Sequence, residues 1–340
     1  MRTTLSLIAT LGVAASASAQ AIVLDGALDA AYGKPVVVQD TQTGFGNASS
    51  GTIDYTNGSE LNAAHATIVD GVLYLMLTGN LESNFNKLEV FIDAVAGGQN
   101  QLRSDNSGVD FNGLLRMGDD PATPKVVEGL KFDEGFEADL WVGLTCGGGP
   151  FAVYMNSAEL LTGGGGPGGY LGSGGAGLAG AQIFESGLGF GLDNSNTLGV
   201  DGGTGLASGA GVTTGVELRI PLTAIPGYKS GDLKVCVFIN GGGHDFISNQ
   251  VLAPLGGGNN LGEPRAVNFA DIPSDQFFVV SNGGGGNSCP ADLNLDGVVD
   301  SADLGALLSA WGTPEADLDG NGDTDSSDLG IVLSGWGQCL

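Results

Sequence analysis

The chain has 340 residues, room for one large domain and a small one, and 38 acidic against 11 basic residues give it a net charge of −27. A field of that sign repels phosphate backbones and anionic lipid surfaces, which argues against nucleic-acid binding and membrane adhesion, and it suits divalent cations. With 62 glycines and only 14% charged residues the composition points to β-structure with long loops, while 14 Phe and a slightly positive mean hydropathy provide for a core and exclude a disordered chain.

The chain opens with Met1-Arg2, an apolar run from Leu5 to Ala15, and Ala17-Ser18-Ala19. A basic start, an apolar stretch too short to span a bilayer and a small-x-small site predict a secretory signal peptide over 1–19, with the mature chain starting near Gln20. The mature protein is expected to be secreted, extracellular or at the cell surface. No later apolar run approaches the roughly 20 residues of a membrane span.

From about 21 to 280 the apolar pattern is that of strands. Leu73 to Leu77 is apolar on both faces, as a core strand is, and Val216-Glu-Leu218-Arg-Ile220 alternates strictly, which predicts Glu217 and Arg219 on a wet face. Leu88–Asp93, Ala138–Thr145, Phe151–Met155, Asp232–Asn240 and Gln276–Val280 are further short candidates. Gly and Asn between them fit antiparallel connections, so the fold class is mainly β: a large antiparallel, jelly-roll-like β-sandwich. Residues 163–211 are glycine-dense and have neither the strand–helix context nor the Lys of a phosphate loop, which predicts a long, mobile surface insertion. The segment 281–288 is a glycine-rich linker by composition.

The sharpest signal is a repeat of period 25 near the C-terminus. Residues 292–312 and 317–337 are identical at twelve of 21 aligned positions. Each half has the ligand spacing of a calcium loop. Oxygen donors stand at loop positions 1, 3 and 5, as Asp292, Asn294 and Asp296, then Asp317, Asp319 and Asn321. Gly297 and Gly322 follow at position 6, where the chain must turn. Val298 and Asp323 offer a backbone carbonyl at position 7, Asp300 and Asp325 stand at position 9, and Asp303 and Asp328 at position 12. The 52 residues from 289 hold ten carboxylates and no Lys or Arg, so a solvated acidic tail would repel itself unless a cation held it. After each loop comes an apolar stripe at helical spacing, Leu304, Leu307, Leu308 and Trp311, then Leu329, Val332, Leu333 and Trp336. The pattern predicts two Ca2+ ions in a small all-α module of two loop–helix repeats whose stripes pack together.

Four cysteines in an exported chain point to disulfides. Cys289 and Cys339 bracket the C-terminal module, which favours a bond between them and leaves Cys146 and Cys236 either bonded to each other or both as thiols.

Loop plus exit helix, twice, with no entering helix and Asp at position 12, resembles the type I dockerin over 289–340. The resemblance implies calcium in both loops and recognition of a cohesin-like or cell-surface partner through loop positions 10 and 11, here Ser301-Ala302 and Ser326-Ser327. The start of the large domain, from Val23 to Tyr32, with Gly71–Leu77, Val90–Asp93 and Val216–Leu222, resembles β-sandwich domains of the family 9 carbohydrate-binding modules. That resemblance implies a sandwich and a carbohydrate ligand, for which Trp141 and Tyr74 are conceivable stacking surfaces. Trp141 lies in a strand pattern and reads more simply as core.

Catalytic constellations are thin. His65 sits in a strand-like run and reads as structural, His244-Asp245 follows three glycines in a loop that could host chemistry, and Glu134 and Glu137 read as exposed strand-edge charges. The expectation is a non-catalytic extracellular protein whose calcium module tethers a carbohydrate-binding sandwich. The alternatives are a polysaccharide-degrading hydrolase and a structural surface protein.

Overall fold

The computed structural model describes residues 22–45, 58–118, 129–175, 179–198, 200, 202–206, 209, 211–282, 291–293, 298–318 and 323–338. The predicted signal peptide and the linker from 283 on lie outside these residues. No helix among them is long and apolar enough to cross a membrane.

The fold is mainly β and consists of two antiparallel sheets. In chain order the strands are β1 (Val37–Val38), β2 (Glu60–Val69), β3 (Val72–Asn80), β4 (Asn84–Asp93), β5 (Leu140–Gly147), β6 (Ala152–Glu159), β7 (Gly168–Gly174), β8 (Ala179–Ile183) and β9 (Gly189–Asp193). They continue with β10 (Gly215–Pro221), β11 (Leu233–Asn240), β12 (Ile247–Leu252) and β13 (Phe278–Val280), and a short helix α1 (Gly113–Arg116) lies between β4 and β5. One sheet has the order β1-β2-β3-β10-β9-β8, the other β12-β11-β4-β5-β6-β7, with β13 pairing β11. The hairpin β2–β3 turns at Asp70-Gly71, both left-handed (φ 51° and 75°), as a two-residue hairpin requires.

Period-two alternation builds the core. Leu73, Leu75, Leu77, Leu218 and Ile220 of the first sheet face Leu88, Val90, Ile92, Val142, Leu144, Val235 and Val237 of the second in one buried cluster. The strands of the second sheet are apolar on their other face as well. Phe91, Trp141, Cys236 and Phe238 form a second core under a layer of turns contributing Leu114, Met117, Phe132, Phe136 and Phe269. That layer carries the site described below.

Cys146 and Cys236 therefore point to opposite faces of the same sheet, Cys146 into the inter-sheet core and Cys236 into the outer one. They cannot bridge, and both are thiols. Cys289 and Cys339 lie outside the described residues.

Two expectations are corrected here. The glycine-dense stretch 163–211 is not a surface insertion, because it supplies β7, β8 and β9, and β9 pairs with β10 while Leu188, Phe190 and Leu192 are buried. The glycines allow close approach: a Cβ on Gly191 would stand 2.6 Å from the Gly26 nitrogen, where the N-terminal segment crosses the sheet. Nor is Glu217 on a wet face. It is fully buried, and its carboxylate accepts the Asp25 and Gly26 amides (2.8 and 3.1 Å) and the Tyr32 hydroxyl (2.6 Å). Burial raises its pKa, against the pull of those three donors. Glu217→Ala leaves three donors without their acceptor and is expected to destabilise the protein by about 3 kcal/mol, read by urea denaturation. A loss near zero would show that the N-terminal segment is not held through Glu217.

In the C-terminal segment β14 (Val298–Val299) precedes α2 (Ser301–Ser309), and α3 (Ser326–Ser334) precedes β15 (Gly337–Gln338). The segment is thus not purely helical: β14 pairs with β15.

Candidate functional sites

The two C-terminal repeats close their loops with the same hydrogen bonds. Asp300 is the N-cap of α2 and Asp303 its third residue, and Asp325 and Asp328 stand likewise on α3, each pair forming a capping box. The position-12 carboxylates, Asp303 and Asp328, are fully buried. Asp303 accepts the Leu293 amide (2.7 Å) and the Asp300 amide (2.8 Å), and Asp328 accepts the Leu318 and Asp325 amides (both 2.7 Å). Position 12 of each loop is thereby tied to positions 2 and 9, which closes the loop upon itself.

The repeats also exchange backbone. Val299, position 8 of the first loop, pairs with Gly337 after the second helix. Thr324, position 8 of the second loop, accepts the Gly312 amide (2.9 Å) and donates to Thr313 (2.7 Å) after the first helix. Gly312 and Gly337 both have positive φ (77° and 123°), which accounts for the glycine after each Trp.

The apolar stripes pack only in their first half. Leu307 and Val332 are fully buried with Leu304 and Leu329 against them. Leu308, Trp311, Leu333 and Trp336 are about half exposed, because each helix is only nine residues long and both Trp lie past its end. Ser301, Ala302, Ser326 and Ser327 are all exposed on the first helical turns.

Of the expected calcium ligands the structure describes Asp292, Val298, Asp300 and Asp303, then Asp317, Asp323, Asp325 and Asp328. Asn294, Asp296, Asp319 and Asn321, with the position-6 glycines, lie outside the described residues. Among the described residues no three carboxylate, imidazole or thiol groups stand together as a metal site. The donor set nevertheless fits a hard cation. It is all oxygen, and the carboxylates are drawn inward by backbone amides rather than by any Lys or Arg of their own segment.

A second constellation lies on the outer face of the second sheet and was only partly visible in the sequence. Glu89 of β4, fully buried, meets the Trp141 indole nitrogen (2.8 Å) and the Asn240 amide (3.3 Å). Gly143 stands opposite Glu89 in register, and a Cβ there would strike the Trp141 ring at 2.3 Å. The missing side chain lets the indole lie along the strand and reach the carboxylate. His244 donates Nδ1–H to Glu89 Oε1 (2.7 Å) and Nε2–H to Asp110 Oδ2 (2.9 Å), and Lys87 Nζ reaches the same Asp110 oxygen (2.9 Å). Burial alone would lower the imidazole pKa. The Glu89 charge and the hydrogen bonds to Asp110 and Glu89 outweigh it and hold the value at about 9. For Asp110 burial works upward, and the bonds from His244 and Lys87 win, leaving its pKa below the ordinary carboxylate range. The four groups form a buried, charge-balanced square. A doubly bonded, protonated His244 cannot serve as a base.

The remaining candidates are structural. His65 is buried on β2 with Nδ1 3.1 Å from the Gly33 carbonyl. Trp141 is fully buried, so it is no stacking surface, and Tyr74 is half-buried. Glu134 and Glu137 are exposed near a turn rather than on a strand edge.

Comparison with family models, with curated proteins and with solved structures gave no match.

Proposed function

We propose that this is an exported, non-catalytic protein in which a dockerin-like pair of calcium loops tethers a carbohydrate-binding β-sandwich to a cohesin-like or cell-surface protein. The observation that carries this reading is the repeated closure of each loop by a buried position-12 aspartate on the amides of positions 2 and 9. Asp292, Asp300, Asp303 and the Val298 carbonyl would hold one ion together with Asn294 and Asp296. Asp317, Asp319, Asn321, Asp325, Asp328 and the Asp323 carbonyl would hold the other. Bound calcium would neutralise the loop carboxylates and fix the exit helices. This would present the exposed pairs Ser301-Ala302 and Ser326-Ser327, with the half-exposed Leu308, Trp311, Leu333 and Trp336, to a protein partner.

Calorimetric titration of the full chain with calcium tests the reading. Two sites are expected, with Asp292→Ala and Asp317→Ala each removing one. Undiminished stoichiometry in both variants would sink the loop assignment.

A further inference from the structure

A cleft of about 400 Å³ opens beside the buried square, between residues 110–116 and the glycine turn 242–244. Its size falls in the range of about 300–1,000 Å³ of small-molecule sites. Four non-glycine residues lining it, Asp110, Phe111, Asn112 and His244, have φ between 45° and 68°, out of seven such residues in the described chain. A fifth, Phe85 (φ 68°), sits close by, its carbonyl 3.2 Å from where a Cβ on Gly242 would stand. Left-handed backbone at non-glycine positions costs energy, and it gathers where a fold holds side chains for use. The close packing needs its own concession: a Cβ on Gly113 would lie 2.1 Å from the His244 ring.

We propose that this cleft is a subsite for a neutral sugar, with the Phe111 ring against the apolar C–H face and Asp110 and Asn112 bonding the hydroxyls. The inference rests on the reading of the sandwich as a carbohydrate binder and gives that reading a place.

Three observations carry it. Phe111 is wholly exposed, so its ring contributes nothing to the core while its backbone is strained. Asp110 spends Oδ2 on both Lys87 and His244, and no described residue donates to Oδ1, which is left as a fixed acceptor for a hydroxyl. The charges are already matched. Lys87 and His244 balance Asp110 and Glu89, and Arg116, the cation in the wall, is held by both oxygens of Glu263 (2.6 and 2.5 Å). An anionic ligand would find no free cation here and would meet the exposed Asp245 carboxylate beside Gly243, whereas a polyol with one apolar face finds a ring and an acceptor.

Depletion of the full-length protein from solution by insoluble cellulose, xylan, chitin and mixed-linkage β-glucan, in calcium buffer at neutral pH, is the test. Retention on at least one is expected, falling about tenfold in Phe111→Ala and several-fold in Asn112→Ala. The melting temperature of Phe111→Ala should stay put, since its side chain packs on nothing. Phe246→Ala, in the neighbouring cleft formed with Thr43, Thr204 and Asn260, should be retained like the parent chain. If the parent is retained and Phe111→Ala equally so, the subsite is wrong while the carbohydrate reading survives. If Phe246→Ala loses retention and Phe111→Ala does not, the site belongs to the other cleft. If the parent binds none of the four, both proposals fall.

Discussion

Replacing His244 by Ala is expected to cost about 3–5 kcal/mol. The change leaves Glu89, fully buried, and Asp110, 6% exposed, with Lys87 as the remaining cation of the square. It also opens a gap against Trp141, whose ring centre lies 6.4 Å from the imidazole. The same group sets a pH dependence. The imidazole titrates at about 9 in the fold against 6.5 ordinarily. Its stabilisation is therefore complete below about pH 6.5 and is lost as pH rises to 9, a difference of about 3 kcal/mol. Asp110 works the other way. With its pKa held down, its contribution is present above the ordinary carboxylate range and disappears as pH falls through the depressed value. Urea denaturation across pH 4–10 should show the parent chain losing stability on the alkaline side, and His244→Ala losing that slope. An alkaline slope unchanged in the variant would remove His244 from the network.

The second large effect is expected on withdrawing calcium. The helices α2 and α3 have nine residues each, too few to hold alone in water, and the core beneath them is small: Ala291, Val299, Leu307 and Val332. On the proposed calcium reading, ten like charges stand against that small core, and binding of the ions would supply the folding energy of the segment. The exchanged pairings, Val299 with Gly337 and Thr324 with Gly312 and Thr313, make each loop lean on the other repeat. Chelation should thus abolish amide protection over 298–338 and leave β2–β12 unchanged by hydrogen exchange. Asp292→Ala should weaken protection in both helices, not in α2 alone. Helices that keep full protection in chelator would show that the capping boxes suffice without metal.

Those capping boxes show how far the sequence could be read. Asp300-Ser-Ala-Asp303 and Asp325-Ser-Ser-Asp328 carry two signals at once, loop positions 9 and 12 and the N-cap and third residue of a helix. Both signals are local, so spacing alone located the helices. The same holds for β3 and β10, whose alternation is local too. What spacing cannot tell is which segment covers a strand's outer face. Alternation correctly put Glu217 opposite the inter-sheet core, yet the crossing of 25–32 over that face turns it from a wet residue into a buried clamp. Lys87 and Glu89 alternate with Leu88, Val90 and Ile92, and nothing near them announces that His244, some 155 residues away, will lie between Glu89 and Asp110. The available hints were the three glycines before His244 and Gly143 two residues after Trp141, both of which make room for a ring. In the glycine-dense stretch, composition misled because strands crossed closely by other backbone need glycine as much as loops do.

The most direct test of the calcium account is the mass of the intact chain under native conditions in millimolar calcium, a concentration that fills even weak calcium loops. Two calcium ions per chain are expected, released together by chelator. A chain that stays metal-free at that concentration would contradict it.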